Sequence, residues 1–235
     1  MSKKLYEAFD DGRSSSGKKW EDYDTILCPD GQVIDMQQLL IEQARAGAAL
    51  THLLPALGGF VSKLRFIYTF RVDTQATDGY NIFVNPQFTA NLDLTGKTFV
   101  LAHEIMHCLL NHLRRAQELG HPQDKANVAA DYECNITLTD NLGLVSYDAV
   151  KKLKCLIDKK YLNWGYEKIY ADNPPDPSSG SMNNKNEQGQ AQKQQGQQGQ
   201  GSGSGQDGQE KLSPDYIKGW NDAVKDFETG KLSIN

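Results

Sequence analysis

Two histidines and a glutamate, His103, Glu104 and His107, share the five-residue run 103–107 of a 235-residue chain. On a helix the two histidines, four residues apart, stand about 40° apart around the axis, so both rings leave one face toward one point. That is the arrangement in which two imidazole nitrogens grip a single divalent cation. Glu104, beside the first histidine, is set to take a proton from a water activated by that cation without using a ligand position itself. The chemistry implied is metal-assisted hydrolysis, with Zn²⁺ the expected ion and Glu104 the general base.

The element that must position these residues is predicted independently of them. Residues 97–117 read as one helix: Phe99, Val100, Leu101, Ile105, Leu109 and Leu113 supply a broad apolar surface, and no Gly or Pro falls between Lys97 and Leu119. Leu101, Ala102, Ile105 and Met106 surround the histidines, whereas a pair on a solvated face would have polar neighbours. Cys108 follows His107 but points about 100° away, which makes it a small buried side chain rather than a ligand.

A catalytic zinc takes three protein ligands and leaves a position for water, so a third ligand is required. Leu110 stands where a helix-breaking glycine would let a histidine return from just downstream. On a regular helix His112, five residues past His107, lies about 140° round the axis and cannot reach the same ion. The remaining route is a carboxylate on the next helix. Asp131 suits it: Ala129 and Ala130 allow close helix approach, and Asn135 lies one turn on along the same face, where it can hydrogen-bond a ligating group. Glu133, about 200° from Asp131, is expected to face elsewhere; it, His112 and His121 are the lesser alternatives.

The rest of the chain frames this site. The net charge of −5 offers no basic field for nucleic acid, and no apolar run has membrane-spanning length. With no leader-like segment after Met1, a cytoplasmic location is expected, the host's cytoplasm if the chain is phage-encoded. Cys28, Cys108, Cys134 and Cys155 form no C-x-x-C pair and are expected to be reduced. Residues 1–30 read as a mobile polar arm and 31–172 as the folded domain. Within it a helix with Asp35 as N-cap runs to Leu57, ended by Pro55 and Gly58-Gly59, and strands follow over 64–70 and 80–84. A polar loop at 118–125 leads to a helix over 126–139, then loop and short helix. The Gln/Gly-rich stretch within 173–212 reads as a disordered linker, and 213–235 as a short amphipathic helix with Pro214 in its first turn.

Several blocks together resemble one family. Thr77-Asp78-Gly79, Asn85-Pro86-Gln87-Phe88, the run from Leu101 to His107, His112-Leu113-Arg114-Arg115, the run from Asn127 to Asn135 and the run from Trp164 to Tyr170 occur in order and at its spacing. The chain, over about 36–172, is similar to the putative metallopeptidase domain of bacteria and phages that is usually found upstream of a von Willebrand factor A-like domain. The resemblance implies an α+β, zincin-like fold, His103 and His107 as ligands, Glu104 as base and Asp131 completing the site. No A-type domain follows in this sequence.

The expected activity is therefore zinc-dependent hydrolysis of peptide bonds in a peptide or protein substrate. The strand over 80–84 is a candidate sheet edge to which an extended substrate adds, and Tyr132, Tyr170, His112 and Arg114 are candidate second electrophiles. The rival is a catalytically inactive, metal-stabilised binding or scaffold protein. It would act through the 213–231 helix, where Trp220 and Phe227 share a face that suits a partner's groove or docks on its own domain.

Overall fold

The computed structural model describes residues 19–175. The linker and the C-terminal amphipathic helix expected beyond them lie outside the described residues, as does the arm before Lys19. Residues 19–30, expected to belong to that arm, are instead packed. Trp20, Ile26 and Cys28 are buried, and strand β1 (Thr25–Leu27) pairs antiparallel with β2 (Val33–Asp35). Trp20, Tyr23 and Ile26, with the smaller Cys28, outweigh the polar composition around them.

Helix α1 (Met36–Leu53) starts as its sequence demands, with the Asp35 carboxylate accepting from the Gln38 backbone N–H at 2.9 Å. Pro55 ends it but also opens a second short helix, α2 (Pro55–Val61), which runs through Gly58-Gly59. Proline at a first helical turn costs nothing, because its missing N–H would be unpaired there anyway.

The expected strands appear as β3 (Arg65–Tyr68) and β5 (Asn81–Val84), with a third, β4 (Gln75–Thr77), between them in sequence. The sheet order is β3-β5-β4, with β3 parallel and β4 antiparallel to β5. The 80–84 strand is thus central, not an edge. Its burial on both faces, through Asn81, Ile82 and Val84, is what a central strand requires. Gln75-Ala76-Thr77 is too short and too polar to announce itself, yet it forms the edge nearest the motif helix, where Thr77 Oγ1 lies 3.3 Å from Cys108 Sγ.

A short helix, α3 (Pro86–Ala90), leads to α4 (Leu94–Leu109), which carries 103–107. Asp93 caps α4 by accepting from Gly96 N–H at 2.7 Å. Leu101, Ala102 and Ile105 are fully buried against Leu50, Leu57 and Phe60 of α1 and α2. Burial of Leu101 and Ile105 contributes about 2 kcal/mol each.

The single helix expected over 97–117 is in fact two. The chain breaks at Asn111, whose φ of 58° and ψ of 33° are left-handed, and restarts as α5 (His112–Glu118). Asparagine adopts that conformation more readily than other residues with a Cβ, so neither Gly nor Pro is needed. Helices α6 (Gln123–Ile136), α7 (Tyr147–Lys152) and α8 (Tyr166–Ala171) complete the described fold, with α6 packed on α4, α5 and α8. The architecture is α+β with small sheets. Among the described residues no helix is long and apolar enough to cross a membrane.

Candidate metal centre

Three donor atoms converge where α4 meets α6. His103 Nε2 and His107 Nε2 are 2.9 Å apart, and Asp131 Oδ1 lies 3.4 Å from the first and 3.2 Å from the second. Three ligands at zinc's usual bond lengths around a tetrahedral centre stand about 3.3 Å apart. The one-turn spacing of the histidines on α4 provides the first edge of this triangle. The second helix, α6, provides its apex and packs on α4 through Cys134, whereas Ala129 and Ala130, expected to open that approach, are buried with Tyr161, Tyr166 and Ile169 on the α8 side. The other oxygen of Asp131 accepts from Asn127 Nδ2 at 3.4 Å, one turn back.

The outer nitrogens decide where the protons are. Asn135 Nδ2 donates to the Leu156 carbonyl at 2.8 Å, so its Oδ1 faces His103 and accepts from His103 Nδ1–H, also at 2.8 Å. A neutral His103 therefore presents a bare lone pair at Nε2. On the other side His112 Nε2 lies 2.8 Å from Glu133 Oε2 and donates to that carboxylate. His112 Nδ1 is then an acceptor, and His107 Nδ1–H, 3.1 Å away, is its donor. His107 Nε2 is left with a lone pair as well. Two lone pairs and a carboxylate oxygen in mutual contact repel unless a cation lies among them, which is the chemistry of a divalent-metal site.

The titration tendencies describe the same locus when a proton plays the cation's part. Burial alone would lower His103, but its contact with the Asp131 carboxylate raises it to about 9. Burial holds His107 below the ordinary value. For Asp131 burial opposes ionisation, and the two imidazoles overcome it and depress the carboxyl strongly. Glu104 is buried and close enough to His103, His107 and Asp131 for their charges to act on it; its burial raises its pKa.

Cys134 is a further potential donor: with His103 and His107 it offers ligand atoms within 4.8 Å of one another. Its geometry is looser than that of Asp131. Burial, with the Asp131 and Glu133 charges, pushes its thiol well above the ordinary range, and Sγ rests 3.8 Å from His112 Nδ1. A thiol kept protonated is a poorer ligand than a carboxylate kept ionised.

A family model described as a putative metallopeptidase domain matches residues 41–228. The chain belongs to this family. The match begins just inside α1 and runs beyond the last described residue, so the metallopeptidase-domain pattern extends further along the chain than the similarity of 36–172 implies. No curated protein and no solved structure gave a match.

Within this family member the remaining predicted residues fall into place one by one. Asn135 is the hydrogen-bond partner expected of it. Glu133 faces away from the triangle, as its position on α6 dictates, toward His112. His121 is remote from the triangle: its Nδ1 is 2.8 Å from the Tyr166 hydroxyl and its ring stacks on Tyr170 at 3.6 Å. Of the candidate electrophiles, Tyr170 is committed to that stack, and the Tyr132 hydroxyl donates to the Pro175 carbonyl at 3.4 Å. Arg114 pairs with Glu118 on the exposed surface. His112 touches the rear nitrogen of His107, not the triangle's open side.

Sequence reasoning missed the His112 contact because it assumed an unbroken helix. Asn111 was the available signal. Cys108 is buried beside Thr77, as expected of a small core side chain, and all four cysteines are free.

Proposed function

We propose that this chain is a zinc-dependent peptidase of zincin-like type, with His103, His107 and Asp131 as metal ligands and Glu104 as general base. The observation that carries this reading is the convergence of two imidazole lone pairs and one carboxylate oxygen at 2.9–3.4 Å. When bound, zinc supplies Lewis acidity, lowering the pKa of a coordinated water to about 7 and stabilising negative charge on a carbonyl oxygen.

The protein's own groups supply the rest. Glu104, with its pKa raised by burial, holds a proton more readily than a free carboxylate. It accepts one from the attacking water and returns it to the departing amine. Asn135 keeps the His103 ring in one tautomer and one orientation. The edge strand β4, lying against α4, replaces the 80–84 strand as the place where an extended substrate would add to the sheet.

The decisive experiment measures metal content and hydrolysis together. Wild type should hold one zinc and cleave a peptide library. Glu104→Gln should keep the zinc and lose cleavage by at least a hundredfold, the scale of one general base. Turnover that survives this substitution would remove Glu104 from the mechanism.

Cys134 favours a second reading. Were it a fourth ligand, the site would have no position left for water and would act as a structural clamp in a binding protein. Chelation distinguishes the two: a structural zinc takes the fold with it, whereas a catalytic one leaves a folded, inactive chain.

A further inference from the structure

His112 is almost fully buried, and both of its ring nitrogens have partners, with Cys134 Sγ also standing 3.8 Å from Nδ1. One is bonded to Glu133 and the other to the rear nitrogen of His107. Two features of the local chain support this arrangement. The left-handed Asn111 turns α5 away from the axis of α4; on a continuous helix His112 would point about 140° from His107. Glu133 is itself buried, which is costly for a carboxylate without partners. Besides His112, the Arg115 guanidinium lies 3.5 Å from it.

Arg115 anchors the whole assembly. It donates to the Leu110 carbonyl at the helix break at 3.0 Å, and it grips Glu167 of α8 through two bonds of 2.8 and 2.6 Å. The break, the relay and α8 are therefore tied together by one side chain. A histidine buried only to fill space would need neither the strained turn nor the second buried carboxylate.

We propose that His112 and Glu133 are positioning residues for the metal centre, forming a relay from Glu133 through His112 to His107 that holds the His107 Nε2 lone pair on the cation. The inference rests on the reading of His107 as a metal ligand. Glu133 accepts the His112 Nε2 proton, which leaves His112 Nδ1 as a lone pair, which in turn keeps the His107 proton on Nδ1. The carboxylate also strengthens His107 as a donor, because negative charge is passed along the hydrogen bonds. No proton leaves its nitrogen in this scheme; each is only confined to one side of its ring.

The test is zinc affinity of the full chain, measured against a competing chelator, together with the ¹⁵N-detected tautomer state of each histidine in the zinc-loaded protein. His112→Phe keeps a ring but removes the acceptor. It should weaken zinc binding by about 10–100-fold, the usual range for such outer partners, and shift or erase the His107 Nδ1–H signal while His103 keeps its own. His112→Gln, which retains an acceptor, should recover most of the affinity. Glu133→Gln should lose about tenfold, at the lower end of that range, and it decides the matter alone if His112→Phe does not fold. Undiminished affinity with an unmoved His107 signal in the folded variants overturns the relay and leaves the metal site standing. A wild-type chain that binds no zinc, or a His103→Ala variant that binds it as well as wild type, overturns both.

Discussion

His103 and His107 sit one turn apart on the same helix, yet the protein supports them by different means. Behind His103 stands a neutral amide, Asn135, locked by the Leu156 backbone carbonyl in the segment that follows α7. Behind His107 stands a second imidazole backed by a buried carboxylate and an arginine. The first side needs α4 and α6 to pack and the segment after α7 to bring the Leu156 carbonyl to Asn135. The second needs a broken helix, a charged partner on α6 and a clamp to α8. Two histidines one turn apart on a helix are therefore not equivalent: each takes its electronic character from what lies behind it.

The largest effect expected in this comparison comes from removing its shared apex. Asp131→Ala should abolish stoichiometric zinc, as should His103→Ala, while Cys134→Ala should leave zinc content unchanged in a metal analysis of purified protein. A reversed result, with Cys134 needed and Asp131 dispensable, would exchange their roles. Next in size is the contrast between the two supports. Asn135→Leu should weaken zinc about tenfold, near the low end for an outer partner, and less than His112→Phe does, because the amide carries no charge. Equal losses in a chelator competition would dissolve the distinction drawn here.

A pH experiment on the chelated protein sharpens the same point. With its pKa raised from 6.5 to about 9, a protonated His103 contributes stability that is fully present below pH 6.5 and lost as the pH rises through about 9. Thermal melts of the metal-free chain should fall across that window, and Asp131→Ala should flatten the slope by removing the partner that raises the pKa. Zinc-loaded protein should lack the slope, since the metal takes the proton's place. The smallest effect belongs to the hinge. Asn111→Ala should cost about 1 kcal/mol in denaturant unfolding, the order of a left-handed penalty for a residue with a Cβ, whereas Asn111→Gly should be nearly neutral. An alanine variant as stable as wild type would mean the break is not held in that conformation.

Much of this was legible in the amino-acid string. The 103–107 spacing, the Asp35 cap and the one-turn offset of Asn135 are local patterns whose geometry follows from a helix of 3.6 residues per turn. Residues 19–30 pack although their surroundings read as a polar arm, because a polar average hides Trp20, Ile26 and Cys28, and burial is decided by individual side chains. Strand β4 was overlooked because three residues carry no period. The 80–84 strand was placed at an edge because its own residues do not say how many neighbours it has.

By itself, then, the sequence determined that two imidazoles would share one helical face with a carboxylate at the next position, and that a second helix would bring another carboxylate within reach. These are relations between residues a few positions apart, set by backbone geometry. Only the tertiary structure decided that Asp131 Oδ1 meets both nitrogens and that Glu133 turns to His112. It also decided that His112 backs His107, because these contacts depend on how α5 leaves α4 at Asn111 and how closely α6 packs. Those are long-range choices settled by burial and hydrogen-bond satisfaction across the core, and no spacing rule contains them.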